Sequence, residues 1–459
     1  MRYVRHARVD PTVDDDPRMP HAHVSCSKEN IMRRRNFLLL SGSGLAAAGL
    51  AACGGSGGGG GESGSGGSEV EVFTWWAQGS EKAGLDALVE QFEKDYPDLT
   101  FVNGSVAGGA GSAAKDMLQS RLQAGDPPDT FQAHAGLELA DYIDAGQLED
   151  VSDLYDEYGL TEAFPSDLVE LLTLDDEIYS VPSNIHRSNV VWTNVELLEA
   201  AGIDPSAVPS DVDAFIADVQ KAADSGVTGL SIGTTWTQVN LLEAILMADL
   251  GSEAYNGLWT GETDWNGAEV TTAVGHFEQL IALTNTDRDG LDWTDATQMQ
   301  IDGTAAYSVM GDWAVASFQQ AEWEDGKDFG YFPLTGGEAI FGFLADSFTL
   351  PVGAPNPDGA KAWLDTISSQ DGQLAFSLAK GSIPARTDVD TEEFPAYQQT
   401  AITSYAEDAI SPSLAHGAAT PVAWLNEISD ATSKFTTGAS DVAGYQEELA
   451  TIAEKHASA

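Results

Sequence analysis

Residues 69–102 read EVEVFTWWAQGSEKAGLDALVEQFEKDYPDLTFV and predict a strand, a helix and a second strand in succession. Apolar and acidic residues alternate over 69–73, as expected for a strand with one buried face. Residues 82–96 predict a helix, and their apolar residues at helical spacing are Leu85, Leu88, Val89 and Phe92. Residues 99–102 predict the next strand. This β-α-β opening favours a fold built from layers of helices and strands.

The same alternation continues along the chain. A helix over 112–123 ends at the GDPP of residues 125–128, and a short strand follows over 129–133. A long extended stretch, 178–192, then separates this first series from a second one. The second series contains helices that we predict near 195–201, 211–225 and 239–251. Two α/β units joined by extended crossovers predict two lobes with a cleft between them.

The composition is that of a folded, strongly acidic protein. The chain has 459 residues, 42% of them apolar, so it can bury a substantial core. It carries 72 Asp and Glu against 21 Lys and Arg, a net charge of −51. That field repels nucleic acid and anionic lipid surfaces, which excludes both as general partners. The acidic residues are spread along the chain, which predicts a halophilic host whose salt screens their repulsion.

The first 68 residues predict export and a lipid anchor. Residues 34–38, RRNFL, look like a twin-arginine signal, and the apolar run 37–52 behind them is shorter than the ~20 residues that a spanning helix needs. Residues 50–53, LAAC, resemble a lipobox, which implies cleavage of the signal 32–52 and a lipid on Cys53. The Gly/Ser-rich residues after Cys53, up to 68, predict a flexible tether.

Three further expectations concern this leader. Residues 1–31 precede the signal, so we expect Met32 to be the true start and 1–31 a non-native extension. Cys26 and Cys53 both precede the folded body, so no disulfide framework is predicted there. A retained membrane helix and an exported protein released in soluble form are the alternatives to the anchor.

Tryptophans and polar residues at the ends of predicted elements indicate a sugar site. A pyranose has an apolar face that stacks on indole and a rim of hydroxyls that pair with polar side chains. Trp75 and Trp76 follow the first strand, and Trp236 lies at a helix start. Trp293 and Trp313 each follow an aspartate. Each of these alone is more often structural, so it is their combination that favours a ligand site.

The histidines and cysteines favour no metal or cofactor. Gln132 and His134 lie at a strand end, and a single histidine such as His134, His186 or His416 is usually just hydrogen-bonded to its surroundings. No pair of them has metal-ligand spacing, so we predict neither a metal site nor a cofactor.

Several stretches together resemble the extracellular solute-binding proteins of carbohydrate-uptake ABC transporters, most closely the glucose/galactose-binding members. They are spread over residues 70–430. They read WWA at 75–77, AG at 110–111, GDPPDTFQAH at 125–134, NIHRSNV at 184–190, WTQ at 236–238, MGDWA at 310–314, DSF at 346–348, KGSI at 380–383 and HGA at 416–418.

The resemblance implies an α/β, two-lobed periplasmic-binding-protein-like fold of type II, with the ligand cleft between the lobes. Residues 69–185 and 342–384 would form the first lobe, and 186–341 and 385–459 the second. It implies that one wall of the cleft holds Trp75, Trp76, Glu81, Gln132, His134, Asp346 and Lys380. The other wall would hold Trp236, Trp293, Trp313 and His416.

The implied function is that of a monomeric, non-enzymatic receptor. It would bind a monosaccharide such as glucose, galactose or mannose at the outer face of the membrane and deliver it to the permease of an ABC importer. Contacts between the sugar and both walls would drive lobe closure. A ligand shifts a conformational equilibrium only when it binds one state more tightly than the other.

Other classes remain open on the sequence alone. Residues 229–233, GLSIG, match the G-x-S-x-G motif, with Asp346 and His416 following in the chain order of a serine hydrolase that would use Ser231. Against this esterase hypothesis, 227–232 reads as a buried strand, whereas a nucleophile elbow turns at the serine. A glycosidase and a carbohydrate-binding or adhesive surface protein are the remaining alternatives.

Overall fold

The computed structural model describes residues 67–457 apart from 108–110 and 175. The twin-arginine motif, both cysteines and nearly all of the Gly/Ser tether lie outside the described residues. Within those residues, no helix is both long enough and apolar enough to cross a bilayer.

The described strands form two main sheets and one small hairpin. They are β1 (Glu69–Phe73), β2 (Thr100–Asn103), β3 (Thr130–His134), β4 (Thr173–Leu174), β5 (Glu177–Ile178), β6 (Ser180–Arg187), β7 (Val190–Asn194), β8 (Thr228–Ser231), β9 (Ala305–Val309), β10 (Phe329–Pro333), β11 (Ile340–Thr349) and β12 (Ala409–Pro412).

The structure describes seventeen α-helices. They are α1 (Gly79–Asp95), α2 (Ser112–Ala124), α3 (Ala140–Asp144), α4 (Ser152–Glu157), α5 (Leu160–Ala163), α6 (Ser166–Leu172), α7 (Val195–Ala200), α8 (Val212–Asp224), α9 (Thr235–Thr260), α10 (Ala268–Ile281), α11 (Trp293–Ile301), α12 (Val315–Gln320), α13 (Pro357–Ser368), α14 (Gln370–Lys380), α15 (Ala396–Glu407), α16 (Val422–Thr436) and α17 (Val442–Ala457).

The first lobe is built on a six-stranded sheet. Its strands run in the order β12-β11-β3-β1-β2, and β6 also pairs with β11. β1 is parallel to β2 and β3, as the β-α-β opening predicts, while β11 is antiparallel to β3 and β6. Helices α1, α13 and α14 pack together beside this sheet. β11 therefore joins the strands that come early in the chain to those that come late.

The second lobe is built on a four-stranded sheet in the order β10-β7-β9-β8. Helix α8 covers β8 and β9, and α9 and α10 pack against each other beside it. The predicted helix at 211–225 is confirmed as α8, whose N-cap Asp211 accepts a hydrogen bond from Ala214 N. The predicted helix at 239–251 is longer than expected, because it starts at Thr235 and continues past a kink at Gly251.

The chain passes between the two sheets more than once. Ser188 and Asn189 alone separate β6 of the first lobe from β7 of the second, and residues 334–339 lead from β10 back to β11. This arrangement is the predicted two-lobed α/β architecture. β12 lies in the first sheet although 385–459 was assigned to the second lobe, because Ala409–Pro412 pairs in parallel with the start of β11.

Candidate functional site

A single cavity between the lobes gathers most of the predicted ligand residues. It encloses about 520 Å³ of space, counting the part that opens to solvent. Its lining consists of Trp75, Gln78, Glu81, His134, His186, Trp236, Asp292, Trp293, Trp313, Leu344, Asp346, Lys380 and His416. Of the residues predicted from the sequence, Trp76 and Gln132 do not line it.

Sheet register explains why one wall of the cavity is polar. On β11, Leu344 and Asp346 point to the same face because strand side chains alternate. Asp346 lies opposite His134 of β3, and Leu344 lies opposite His186 of β6. Three strands that are far apart in the chain therefore present these side chains to one cavity.

Asp346 is the electrostatic centre of this wall. Lys380 Nζ lies 2.7 Å from its Oδ2, and Gln132 Nε2 donates to its Oδ1 at 2.9 Å. Burial alone would raise the pKa of Asp346, but the Lys380 ammonium and the imidazoles of His186 and His134 hold it well below its usual range. The carboxylate stays ionised and can accept further hydrogen bonds from a ligand.

Trp76 and Gln132 lie directly behind the lining. Trp75 and Trp76 follow the end of β1 at a bend, where Ala77 N donates to the carbonyl oxygen of Trp75 at 2.8 Å, and their side chains lie in different surroundings. Trp75 faces the cavity, whereas Trp76 is fully buried against Phe348 and Phe376, with Lys380 Nζ 4.8 Å from its ring centroid. Trp76 thus supports the lysine that pairs with Asp346.

Gln132 likewise supports the lining. Its Oε1 accepts hydrogen bonds from the Thr74 hydroxyl and from Trp75 N, the latter at 3.3 Å, while its amide nitrogen donates to Asp346. The amide therefore fixes the position of Asp346 relative to the end of β1.

Glu81 contributes a second carboxylate from the first turn of α1. Burial raises its pKa to about 7; the nearby Lys380 opposes that rise, and Asp346 and Asp292 add to it. The cavity thus contains one carboxylate held ionised and one that titrates near neutrality.

The opposite wall is aromatic. The ring centroids of Trp236 and Trp293 each lie 6.4 Å from that of Trp313, and His416 lies 5.1 Å from Trp313. His134 of the first lobe and His416 are 5.5 Å apart, so the two walls meet there. Indole faces of this kind stack on apolar ligand surfaces.

Helix starts hold these indoles in place. Trp293 is the first residue of α11, whose N-cap Asp292 forms a capping box with Asp295. Trp236 lies in the first turn of α9. The predicted position of Trp236 at a helix start is confirmed.

Four lining residues were not predicted: Gln78, His186, Asp292 and Leu344. Asp292 is adjacent to Trp293. Leu344 lies on the same strand face as Asp346, so the two-residue period of a strand could have identified Leu344. Gln78 lies in the turn after the tryptophan pair. His186 carries no local signal, because only the pairing of β6 with β11 brings it to the cavity.

Ser231, the residue of the hydrolase alternative, is not part of this cavity. It is the last residue of β8, only 1% exposed, and its hydroxyl donates to the carbonyl oxygen of Ala296 at 2.8 Å. Neither Asp346 nor His416 is its hydrogen-bond partner in the described structure. In the same residues, no group of three or more His, Cys, Asp or Glu is arranged to hold a metal ion.

Comparisons with known proteins agree with this architecture. The family model for bacterial extracellular solute-binding proteins matches residues 76–374. An uncharacterized ABC transporter extracellular-binding protein of Pyrococcus horikoshii is 35% identical over 373 residues, covering 80% of this chain and 84% of its own. The xylose/arabinose-binding protein XacG of Haloferax volcanii is 30% identical over 359 residues, covering 77% of each.

The fold has close counterparts among solved structures. A chitin oligosaccharide binding protein superimposes with a TM-score of 0.74 at 20% identity, covering 86% of this chain and all of its own. At that identity the likeness concerns the two-lobed fold alone, and the family assignment comes from the sequence matches. The chain belongs to the bacterial extracellular solute-binding protein family.

Proposed function

We propose that this protein captures a sugar in the cleft between its lobes and delivers it to the permease of an ABC importer. One observation carries the proposal: four tryptophans, Trp75, Trp236, Trp293 and Trp313, share one cavity with the Asp346–Lys380 pair. Indoles stack on the C–H face of a sugar ring, and the charged pair accepts from and donates to its hydroxyls.

The proposed ligand is a monosaccharide, with glucose first and galactose or mannose next. The lining of several indoles with a few polar and charged side chains is typical of small-molecule sites. The Haloferax relative is named for xylose and arabinose, so pentoses belong among the candidates.

Lobe closure would signal that the site is occupied. In the present arrangement the Ser80 hydroxyl of α1 donates to the carbonyl oxygen of Trp313 across the cleft at 3.4 Å. A sugar that contacts both walls favours this closed form over an open one. The permease would recognise the closed surface.

Export and anchoring complete the proposal. The protein would leave the cell by the twin-arginine route and stay at the outer face of the membrane through a lipid on Cys53. Its assignment to a halophilic host rests on the net charge of −51.

Calorimetric titration in molar KCl tests the function. We expect heat of binding and micromolar or tighter affinity, about −8 kcal/mol, for at least one of glucose, galactose, mannose, xylose and arabinose. Citrate and glutamate serve as ligands that should give none. The absence of heat with all five sugars would overturn the proposal.

A further inference from the structure

The three histidines at the cavity share one arrangement. In each, the Nδ1 atom contacts a side chain behind the lining, so Nε2 lies on the ring edge away from that side chain. In His134 and His186 this edge faces Asp346, whose carboxylate oxygens lie 3.8 Å and 3.5 Å from the two Nε2 atoms. His134 Nδ1 lies 2.7 Å from Glu138 Oε2, His186 Nδ1 contacts Asp312 Oδ1, and His416 Nδ1 lies 2.8 Å from Ser413 Oγ.

For two of these histidines the partner determines the tautomer. An ionised carboxylate only accepts hydrogen bonds, so a neutral imidazole beside it carries its proton on Nδ1 and keeps a lone pair on Nε2. Burial raises the pKa of Glu138, but Lys115 and His134 outweigh that effect and lower it to about 2, so Glu138 is ionised. In the neutral form of His134 the Nε2 atom is therefore the acceptor.

His416 differs because its partner is a hydroxyl, which can donate or accept. The group behind that hydroxyl decides between the two. Ser413 Oγ lies 2.9 Å from both carboxylate oxygens of Glu243, a buried residue of α9. Ala415 N donates to Glu243 Oε2 at 2.8 Å, which holds the carboxylate in place.

An ionised Glu243 must receive the Ser413 proton. The hydroxyl oxygen then keeps its lone pairs for His416, whose Nδ1 supplies the hydrogen. The chain of hydrogen bonds thus runs from His416 through Ser413 to Glu243, and the Nε2 of His416 is left as an acceptor.

We propose that Glu243 and Ser413 are positioning residues that fix His416 as a hydrogen-bond acceptor towards a sugar hydroxyl. This rests on the proposed function, and it extends that function to residues outside the cavity lining. This arrangement would make the site selective among ligands. The Nε2 acceptor of His416 favours a sugar with a hydroxyl at the facing position and disfavours a ligand whose group there cannot donate a hydrogen bond.

We call the chain of hydrogen bonds from His416 through Ser413 to Glu243 the relay. The charges around it are consistent with a neutral His416. Burial, together with His134 and Lys115, holds the pKa of His416 well below its usual range, although Asp346 opposes this shift. Burial raises the pKa of Glu243 to about 7, against the opposing effect of the hydrogen bonds from Ala415 N and the Ser413 hydroxyl. At about pH 8 the carboxylate is therefore ionised and the relay has the stated direction.

Nitrogen-15 spectra of the histidine rings test the relay without any sugar. In the wild-type protein at about pH 8, we expect His416 to carry its proton on Nδ1. A signal showing the proton on Nε2 would overturn the proposal. This readout needs no variant apart from His416→Asn to assign the signal, and it is independent of whether the sugar has been identified correctly.

Glu243→Gln should reverse the tautomer. The Gln oxygen can accept from Ala415 N while its amide donates to Ser413, so the hydroxyl becomes free to donate to His416 Nδ1. We expect the variant to show the proton on Nε2. Ser411→Ala is the matched control, because Ser411 is a buried serine two residues earlier whose hydroxyl bonds Ser252 instead; it should keep the wild-type tautomer. An unchanged tautomer in folded Glu243→Gln would contradict the relay.

Affinity for the monodeoxyfluoro derivatives of glucose gives the functional readout. Fluorine cannot donate, so the derivative altered at the position that faces His416 should bind the wild type about tenfold more weakly than glucose. In Glu243→Gln that penalty should shrink to less than threefold. Equal penalties at every position in both proteins would contradict the proposal, whereas failure of wild type to bind glucose at all would count against the choice of sugar only.

Discussion

At the level of single residues, adjacent tryptophans have different tasks. Trp75 faces the cavity, while Trp76 is fully buried beneath Lys380. Trp76→Ala should therefore lower the free energy of unfolding by about 3–5 kcal/mol, the usual cost of removing a large core side chain. Trp75→Ala should weaken sugar binding by roughly 2 kcal/mol and cost less stability. Chemical denaturation and calorimetry on both variants measure the contrast, and equal stability losses would contradict it.

The Asp346–Lys380 pair separates stability from binding. Asp346→Asn leaves the buried ammonium of Lys380 without its counter-charge, which should cost about 3–5 kcal/mol of stability. The double variant Asp346→Asn with Lys380→Met removes the charge and should recover most of that loss, but not sugar binding. Recovery of both in the double variant would show that the pair has no role towards the ligand.

Glu81 makes stability depend on pH. Its pKa is about 7 in the folded protein and near 4.5 when unfolded, so the folded state binds the extra proton between these values. Its contribution to stability is therefore largest below about pH 4.5 and is lost as the pH rises to 7. Glu81→Gln should gain stability relative to wild type at pH 8 but not at pH 4.5, as measured by denaturant unfolding. A gain that is the same at both pH values would rule out this titration.

The sequence shows well which residue types could bind the ligand, but it shows poorly how deeply each of these side chains is buried. Trp75 and Trp76 are identical residues in adjacent positions, and the sequence does not say which one faces the ligand. His186 resembles any single histidine until β6 pairs with β11.

At the level of elements, the end of α14 limits how closely the lobes approach. Gly381 follows Lys380 with a φ of +88°, and a Cβ there would lie 2.6 Å from Val315 of the second lobe. Gly381→Ala should therefore disfavour the closed form and weaken sugar binding at least tenfold, and adding Val315→Ala should restore part of the affinity. Calorimetric titration measures both.

Gly353→Ala is the matched control for this prediction. Gly353 also has a positive φ, +80°, but a methyl group added at its Cα would meet no atom within 4 Å. The variant should lose stability through backbone strain and keep its affinity. If both glycine variants weaken binding equally, the contact with Val315 is not the cause.

The sequence predicts whether a segment is a helix or a strand more reliably than it predicts where that segment begins and ends. The predicted strand at 129–133 corresponds to β3, and that at 69–73 to β1. Helix α9 exceeds its predicted range, because residues 237–248 are all buried and leave no amphipathic pattern to mark its ends.

At the level of the whole molecule, the net charge of −51 should make stability depend on salt. Repulsion among acidic side chains acts over about 10 Å at 0.1 M salt and under about 3 Å above 1 M. Raising KCl from about 0.1 M to 3 M should raise the midpoint of thermal unfolding by roughly 10 °C, equivalent to a few kcal/mol. Tetramethylammonium chloride at equal ionic strength should act similarly if screening is the cause. No rise in either salt would contradict this account.

The position of β11 in the chain also governs the order in which the molecule can be completed during synthesis. All four strands of the second sheet lie within residues 190–333, so that sheet can form while the ribosome is still translating. β6 pairs with β11 alone among the described strands, and β11 begins only at Ile340. The first lobe therefore emerges first but cannot complete its sheet until β11 has been synthesised. A nascent chain released before β11 would expose the edge of an incomplete sheet.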